Sequence, residues 1–269
     1  MFKKPLGLLG VFLIVVGFGY FVGAGVAYSK TQGGYASLEA FSAAQNVELS
    51  YNDDGQLVDR GTVEEAQAIR ELLEDDWAFP VVDGKGGLDP ADPVVNNQSE
   101  YMFQMATIVY HTLHGEQTVT LTQDQIDAAI AAERLGADGT YDGVVEAYQG
   151  QVLEAGVPYT VPVDERYWTE FSRMDVLDGP AREMAWSGTA HALVAELGVG
   201  AATHSALMLA LGIAGLLAGL GVVCMVMGVA FLWHTRRAMR DEVATTAATV
   251  PDTVPVEFLT ENGKRLETV

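Results

Sequence analysis

Two unbroken apolar runs, Leu6–Tyr28 and Ala206–Trp233, stand near the two ends of the chain, and neither contains a charged residue. Each exceeds the roughly 20 residues that an α-helix needs to cross a hydrocarbon layer about 30 Å thick, so both read as membrane-spanning helices. Between them the periods shorten. Val47, Leu49 and Tyr51 alternate ahead of Asn52-Asp53-Asp54-Gly55, and Gln56-Leu57-Val58 follows, the pattern of a β-hairpin with a glycine-containing turn. Thr62 with Glu65 three residues on is a capping-box pair, in which each side chain satisfies the other's backbone N–H, and it predicts a helix to about Asp75. From Ser99, Tyr101, Met105, Ile108 and Val109 recur at helical spacing as far as Leu113, the strongest core helix in the chain. Thr122 with Gln125 opens another, carrying Ile126, Ile130 and Leu135 up to Gly136, and a third is predicted over Asp142–Glu154.

The breakers are as informative as the periods. Thr31-Gln32-Gly33-Gly34 reads as a flexible exit from the first span. Asp76–Gln98 holds Pro80, Pro90 and Pro93 with Gly84, Gly86 and Gly87, and reads as a long loop. Such loops are uncommon in compact domains unless they carry function, so a partner contact is first sought there. Pro158 and Pro162 separate the third helix from the aromatic-rich stretch Asp164–Met174. Pro180 suits the first turn of a helix, where its missing N–H costs nothing. With no further proline before Pro251, that helix is expected to continue into the second span as a rigid stalk, loosened at Gly198 and Gly200. Beyond Arg240 no apolar period is sustained, and the tail is expected to be disordered.

Charge orients this arrangement. Lys3 and Lys4 precede the first span and Arg236, Arg237 and Arg240 follow the second, which places both ends in the cytoplasm. Tyr28 and Trp233 sit where an amphipathic ring anchors at the interface. The expected division is a cytoplasmic N-terminus (1–5), a first transmembrane helix (6–28), an extracytoplasmic domain (29–205), a second transmembrane helix (206–233) and a cytoplasmic tail (234–269). The fold class is mainly α: two transmembrane helices flanking a helical extracytoplasmic domain with a small β-hairpin. Gly25-Val26-Ala27 offers a small-x-small cleavage pattern, but an apolar run of 23 residues is longer than a secretory signal's apolar core and favours an uncleaved anchor.

Ser29–Gly200 holds 30 Asp and Glu against 8 Lys and Arg, a formal charge of −22 in a chain whose total is −21. Such a face repels phosphate backbones and anionic headgroups, which excludes nucleic acid and leaves cations or basic partners; solubility alone is the plainer reading of the same acidity. The one cysteine, Cys224, lies inside the second span, so the domain holds together by packing and not by an internal disulfide.

Candidate chemistry is sparse. His111 and His114 are three apart near a helix end, with Glu116 beyond, the one metal-like spacing in the chain; histidines closing a helix also interact well with its dipole, and that reading is preferred. Ser187 and His191 with Asp178 suggest a nucleophile, base and orienter, but a serine in a helix interior lacks the strained turn and oxyanion donors of a nucleophile elbow. Ser50–Gly55 imitates the start of a calcium loop, yet the twelfth position is Gly61 where a bidentate glutamate is needed. No catalytic, cofactor-binding or metal residue is therefore assigned, and no cofactor is expected. In the spans, Gly19-x-x-x-Gly23 and Gly215-x-x-x-Gly219, with Gly212, Gly221 and Gly228, offer small faces for close helix contact. The absence of charge within the spans argues against proton relay and ion conduction.

The run Tyr101–Leu113 and the small-residue segment Ala210–Gly228 resemble uncharacterised actinobacterial two-span membrane proteins. The resemblance covers about a third of the chain. It implies an N-terminal anchor, a mainly helical outer domain and a C-terminal span, and carries no activity with it. Members sometimes bear a ring-opening dioxygenase label, for which these residues present no iron-ligand set.

Three functional readings follow. The leading one is a non-enzymatic, partner-binding or scaffold domain at the plasma membrane, an accessory subunit of a cell-envelope complex whose partners are membrane lipid and another envelope protein. The alternative is an extracytoplasmic sensor with a ligand pocket lined by Tyr101, Tyr148, Trp168 and Phe171, signalling through the second span. The third is a metal-dependent hydrolase built on His111, His114 and Glu116.

Overall fold

The computed structural model describes the backbone of residues 3–249 and the side chains of 5–245, so the expected tail from position 250 onward lies outside the described residues. The chain divides into two compact units, one from Met1–Ser29 with Leu211–Val269, the other Lys30–Ala210. Helix α1 (Lys3–Gln45) and helix α6 (Gly188–Thr249) contribute to both.

In the first unit, α1 and α6 supply two helices long and apolar enough to cross a membrane. They run antiparallel. A Cβ added at Gly10 would stand 2.8 Å from the Gly228 carbonyl oxygen, one at Gly17 would stand 3.0 Å from that of Gly221, and one at Gly228 would stand 2.7 Å from that of Gly10. These glycines let backbone meet backbone. Gly10, Gly17 and Ala24 on α1 are buried, as are Ala214, Gly221, Gly228 and Thr235 on α6, always seven residues apart. Seven residues return a helix to within about 20° of the same face, the spacing of a shallow left-handed crossing. The four-residue G-x-x-x-G spacing suits a steeper one near −40°. The expected pairs are accordingly not the contact: Gly19, Gly212, Gly215 and Gly219 have no neighbour within 4 Å of an added Cβ, and Gly23 meets only Leu217. The outward faces stay apolar, with Leu8, Phe12, Phe18 and Leu216 all exposed.

The second unit corrects the expected exit after the first span. Residues 31–34 are helical within α1, Thr31 is buried, and a Cβ at Gly34 would fall 2.4 Å from Cδ2 of Leu207. Glycine serves close helix approach here and not flexibility. The hairpin forms as predicted, β1 (Ser50–Tyr51) with β2 (Leu57–Val58); Asn52 Oδ1 accepts from the N–H of Asp54 and Gln56, and Gly55 takes φ +74°. Thr62 caps α2 (Val63–Glu71), which runs into a single π-helical turn at Leu72–Asp76. A loop follows to α3 (Gln98–Leu113).

Two hydrophobic cores fill this unit. The first surrounds α3, with Ile69, Leu73, Tyr101, Phe103, Ala106 and Val109 among its buried members. Tyr101 lies against Gly200, where a Cβ would stand 2.6 Å from the ring, and its hydroxyl meets Ser42 Oγ at 2.7 Å. Gly200 is thus a packing position and α6 is helical through it.

The second core rests on an antiparallel pair that the periodicity did not announce, β3 (Glu116–Thr120) with β4 (Pro158–Pro162), in register from Glu116 opposite Pro162 to Thr120 opposite Pro158. Val119, Tyr159 and Val161 are buried there together with Ile126 and Ala129 of α4 (Gln123–Ala131) and Ala181 of α5 (Asp178–Ala185). Prolines at the two ends of β4 are tolerated because an edge strand need not donate along its outer side.

The helix expected over Asp142–Glu154 is not there; only Glu146–Tyr148 makes one 3-10 turn. The buried Tyr141 hydroxyl takes the place of helical bonding, accepting from the Val145 N–H at 3.0 Å and donating to Asp175 at 2.9 Å. A continuous stalk from Pro180 is also absent. Helix α5 ends at Trp186, whose indole N–H donates to the Arg166 carbonyl, and Ser187 Oγ accepts from the Ala190 N–H to start α6 anew. At the far end, α6 continues nine residues past Arg240, where disorder was expected.

Candidate functional site

The histidines, Asp178 and Ser187 singled out in the sequence are each engaged elsewhere. His111 Nε2 lies 2.6 Å from Asp59 Oδ2, which ties α3 to the end of the hairpin. His114 turns its Nδ1 to the Tyr110 carbonyl at 2.9 Å, stacks on the Tyr110 ring, and comes within 3.7 Å of Glu165. Glu116 opens β3. The two imidazoles thus face different partners.

Asp178 is fully buried, receives Arg166 Nη1 at 2.8 Å and accepts from the Ser172 N–H, while Ser187 acts as a helix cap and His191 sits edge-on to Trp168. The three are not assembled. The four rings expected to line one pocket are split: Tyr101, Trp168 and Phe171 belong to the first core and Tyr148 to the second. Trp168 is covered by the Arg182 guanidinium at 3.1 Å.

The site the structure does build lies where the long loop meets the start of α3. Asn97 caps the helix, its Oδ1 accepting from the N–H of Ser99 and Glu100, while Glu100 Oε2 reaches back to the N–H of Asn96 at 2.8 Å and of Asn97 at 3.1 Å. Asn97 Nδ2 donates to the Gly87 carbonyl, and the Val82 N–H donates to Ser99 Oγ, so the loop is fastened to the helix at two points. Gly87 is obligatory, since an added Cβ would overlap the Val82 carbonyl at 2.0 Å. Arg70 of α2 grips the loop from the other side through a two-bonded pair with Asp83, at 2.8 and 2.7 Å, which holds the Asp83 carboxyl below its usual range.

Gly87, Asn96, Asn97 and Glu100 also line a cavity of about 340 Å³. Four carboxylates line it, Glu39, Asp89, Asp92 and Glu100, against one cation, Lys85, and His204 and Tyr35 add an edge-to-face ring pair. Glu100 has no exposed surface, and its Oε1 has no hydrogen-bond partner; neither does His204 Nδ1. Burial pushes the Glu100 carboxyl up to about 7, against the pull of the Asn96 and Asn97 N–H groups and with the added repulsion of Asp92. Burial, reinforced by Glu100, Asp89 and Asp83, likewise raises the Tyr51 phenol to about 12. No three His, Cys, Asp or Glu side chains among the described residues stand close enough together to share a metal ion.

Glu100 and Asn97 were missed because the predicted helix began at Ser99, although Asn-x-x-Glu is itself a legible capping signal. His204 carried no signal, since its proximity to the loop is a product of tertiary packing. No family model, curated protein or solved structure matches the chain.

Proposed function

We propose that the chain is an integral membrane protein whose acidic domain, held outside the cytoplasm, works by binding a partner and not by catalysis. The carrying observation is the seven-residue stripe of glycine, alanine and threonine on the two apolar helices of the first unit. It seals them backbone to backbone while the bulky apolar side chains face outward, where water would penalise them and lipid would not. The basic residues Arg236, Arg237 and Arg240 support a cytoplasmic position for the end of the second span, with the carboxylate-rich residues 29–205 on the opposite side.

The binding reading has two supports. The histidines, the serine and the buried aspartate that would have carried chemistry are each bonded into the fold, whereas the cavity at the start of α3 keeps polar atoms without partners. An accessory role in a cell-envelope complex follows from two anchors and a binding domain without an assembled catalytic set.

A single cysteine placed at exposed Asp127 in a Cys224→Ser background tests the topology. A membrane-impermeant maleimide should label it in intact cells. Labelling only after permeabilisation would place the domain in the cytosol and end the proposal. Crosslinking in intact cells, with mass spectrometric identification of neighbours, then names the partner.

A further inference from the structure

We infer that the cavity at the start of α3 binds an extended organic cation, a primary ammonium or guanidinium group on an aliphatic arm, with Glu100 as its anchor. This rests on the reading of the domain as a binder and names the chemistry it binds. Glu100 is fully buried and among the residues that line the cavity, its Oε2 is consumed by the helix cap, and its Oε1 has no hydrogen-bond partner. A buried carboxylate oxygen left in that state is costly unless a donor fills the space before it. His204, which also lines the cavity, carries a second unpartnered polar atom, Nδ1, able to accept when the ring proton sits on Nε2. Asp89, Asp92 and Glu39 complete a lining with three more negative than positive groups.

The occupant's charge follows from that lining, and its shape from the spacing. The carboxylates are not gathered tightly enough for one metal ion to touch three ligands. A cation that satisfies separated acceptors has to carry several N–H donors on an arm, which an ammonium with three or a guanidinium with five provides. A volume of about 340 Å³ lies at the lower end of small-molecule sites and accommodates such an arm. The source is either a free polyamine or a Lys or Arg side chain of a protein partner.

The full chain in detergent, at 150 mM salt and pH 8, is titrated calorimetrically with 1,4-diaminobutane, with the peptide acetyl-Gly-Lys-Gly-amide, and with Mg2+ and Ca2+. Saturable binding of either organic probe, weakened at least tenfold in Glu100→Gln and unchanged in the distant Asp127→Asn, supports the site, and the tighter probe identifies the source. Gln is suited to the test because a capping box accepts Glu or Gln, so the helix start survives while a donor replaces the acceptor. Asp92→Asn, with Glu100 intact, is expected to weaken binding several-fold and serves if Glu100→Gln does not fold. Equal weakening in Asp127→Asn reduces the effect to overall charge and overturns the proposal, as does tighter binding of the metal ions. Absence of organic binding by a folded protein overturns it too, yet leaves the membrane-anchored reading standing, because maleimide labelling judges that separately.

Discussion

Replacing Glu100 by glutamine should make the domain more stable at high pH and no different at low pH. The carboxyl sits near 4.5 in an unfolded chain and is pushed up to about 7 in the fold, with burial the largest cause. Between those values the folded state holds a proton that the unfolded chain has released. The stability this gives is fully present below about 4.5, falls as pH rises, and is gone above about 7. At roughly 1.4 kcal/mol for each pH unit of displacement, the loss is about 3 kcal/mol. In a domain of this size one kcal/mol moves the melting temperature by roughly 2–4 °C, so the variant should melt about 10 °C above the wild type at pH 8 and alongside it at pH 4.5. Trp77, Trp168 and Trp186 all lie in the second unit, so intrinsic fluorescence in detergent reports on it. The groups around Glu100 are Tyr51 from β1, Asp89, Asp92 and Lys85 from the loop, Glu39 from α1 and His204 from α6. Burial holds the His204 imidazole below its ordinary value, and that residue is present in both proteins. A melting difference that does not change with pH would refute the reasoning. If an organic cation occupies the cavity, its binding should also release a proton near pH 6.5, seen as a buffer-dependent heat.

Three other outcomes are expected. Cysteines at Gly7 and Thr235 in a Cys224→Ser background should form a disulfide in the purified protein, since a Cβ at Gly7 stands 3.9 Å from that of Thr235. Adding Gly228→Leu should cut that crosslink several-fold, and adding Gly19→Leu or Gly215→Leu should not; equal sensitivity would discard the seven-residue interface. Asp178→Ala strips the counter-ion from Arg166 and should cost about 3 kcal/mol in urea unfolding, so a loss below about 1 kcal/mol would show the pair to be idle. Tyr51→Phe removes a buried hydroxyl with no hydrogen-bond partner and should leave stability unchanged or up to about 1 kcal/mol higher; a clear loss would reveal a partner for that group.

How much of this was legible in advance depended on the range of the interaction. The hairpin turn, the Thr62 and Thr122 caps and the α3 period were readable because each is settled within a few residues. The pair β3 and β4 was not, because its strands lie about 40 residues apart and prolines at 158 and 162 imitate a boundary. Asp142–Glu154 misled for the opposite reason. Its apolar spacing was helical, but Tyr141 and Asp175 offered the backbone better-placed partners than the helix did. The aromatic pocket was not legible because chain order does not say which core a ring joins, and Tyr148 lies in a different core from Tyr101, Trp168 and Phe171.

Uninterrupted apolar length and the distribution of charge were fixed by sequence alone, since transfer into lipid and the cost of burying charge depend on composition before they depend on shape. Which glycines touch was decided by the crossing of two helices, and so needed three dimensions. The cavity was decided there too. Glu39, Asp89, Asp92, Glu100 and His204 come from three helices and a loop, and only their packing removes Glu100 from water while leaving one of its oxygens unanswered.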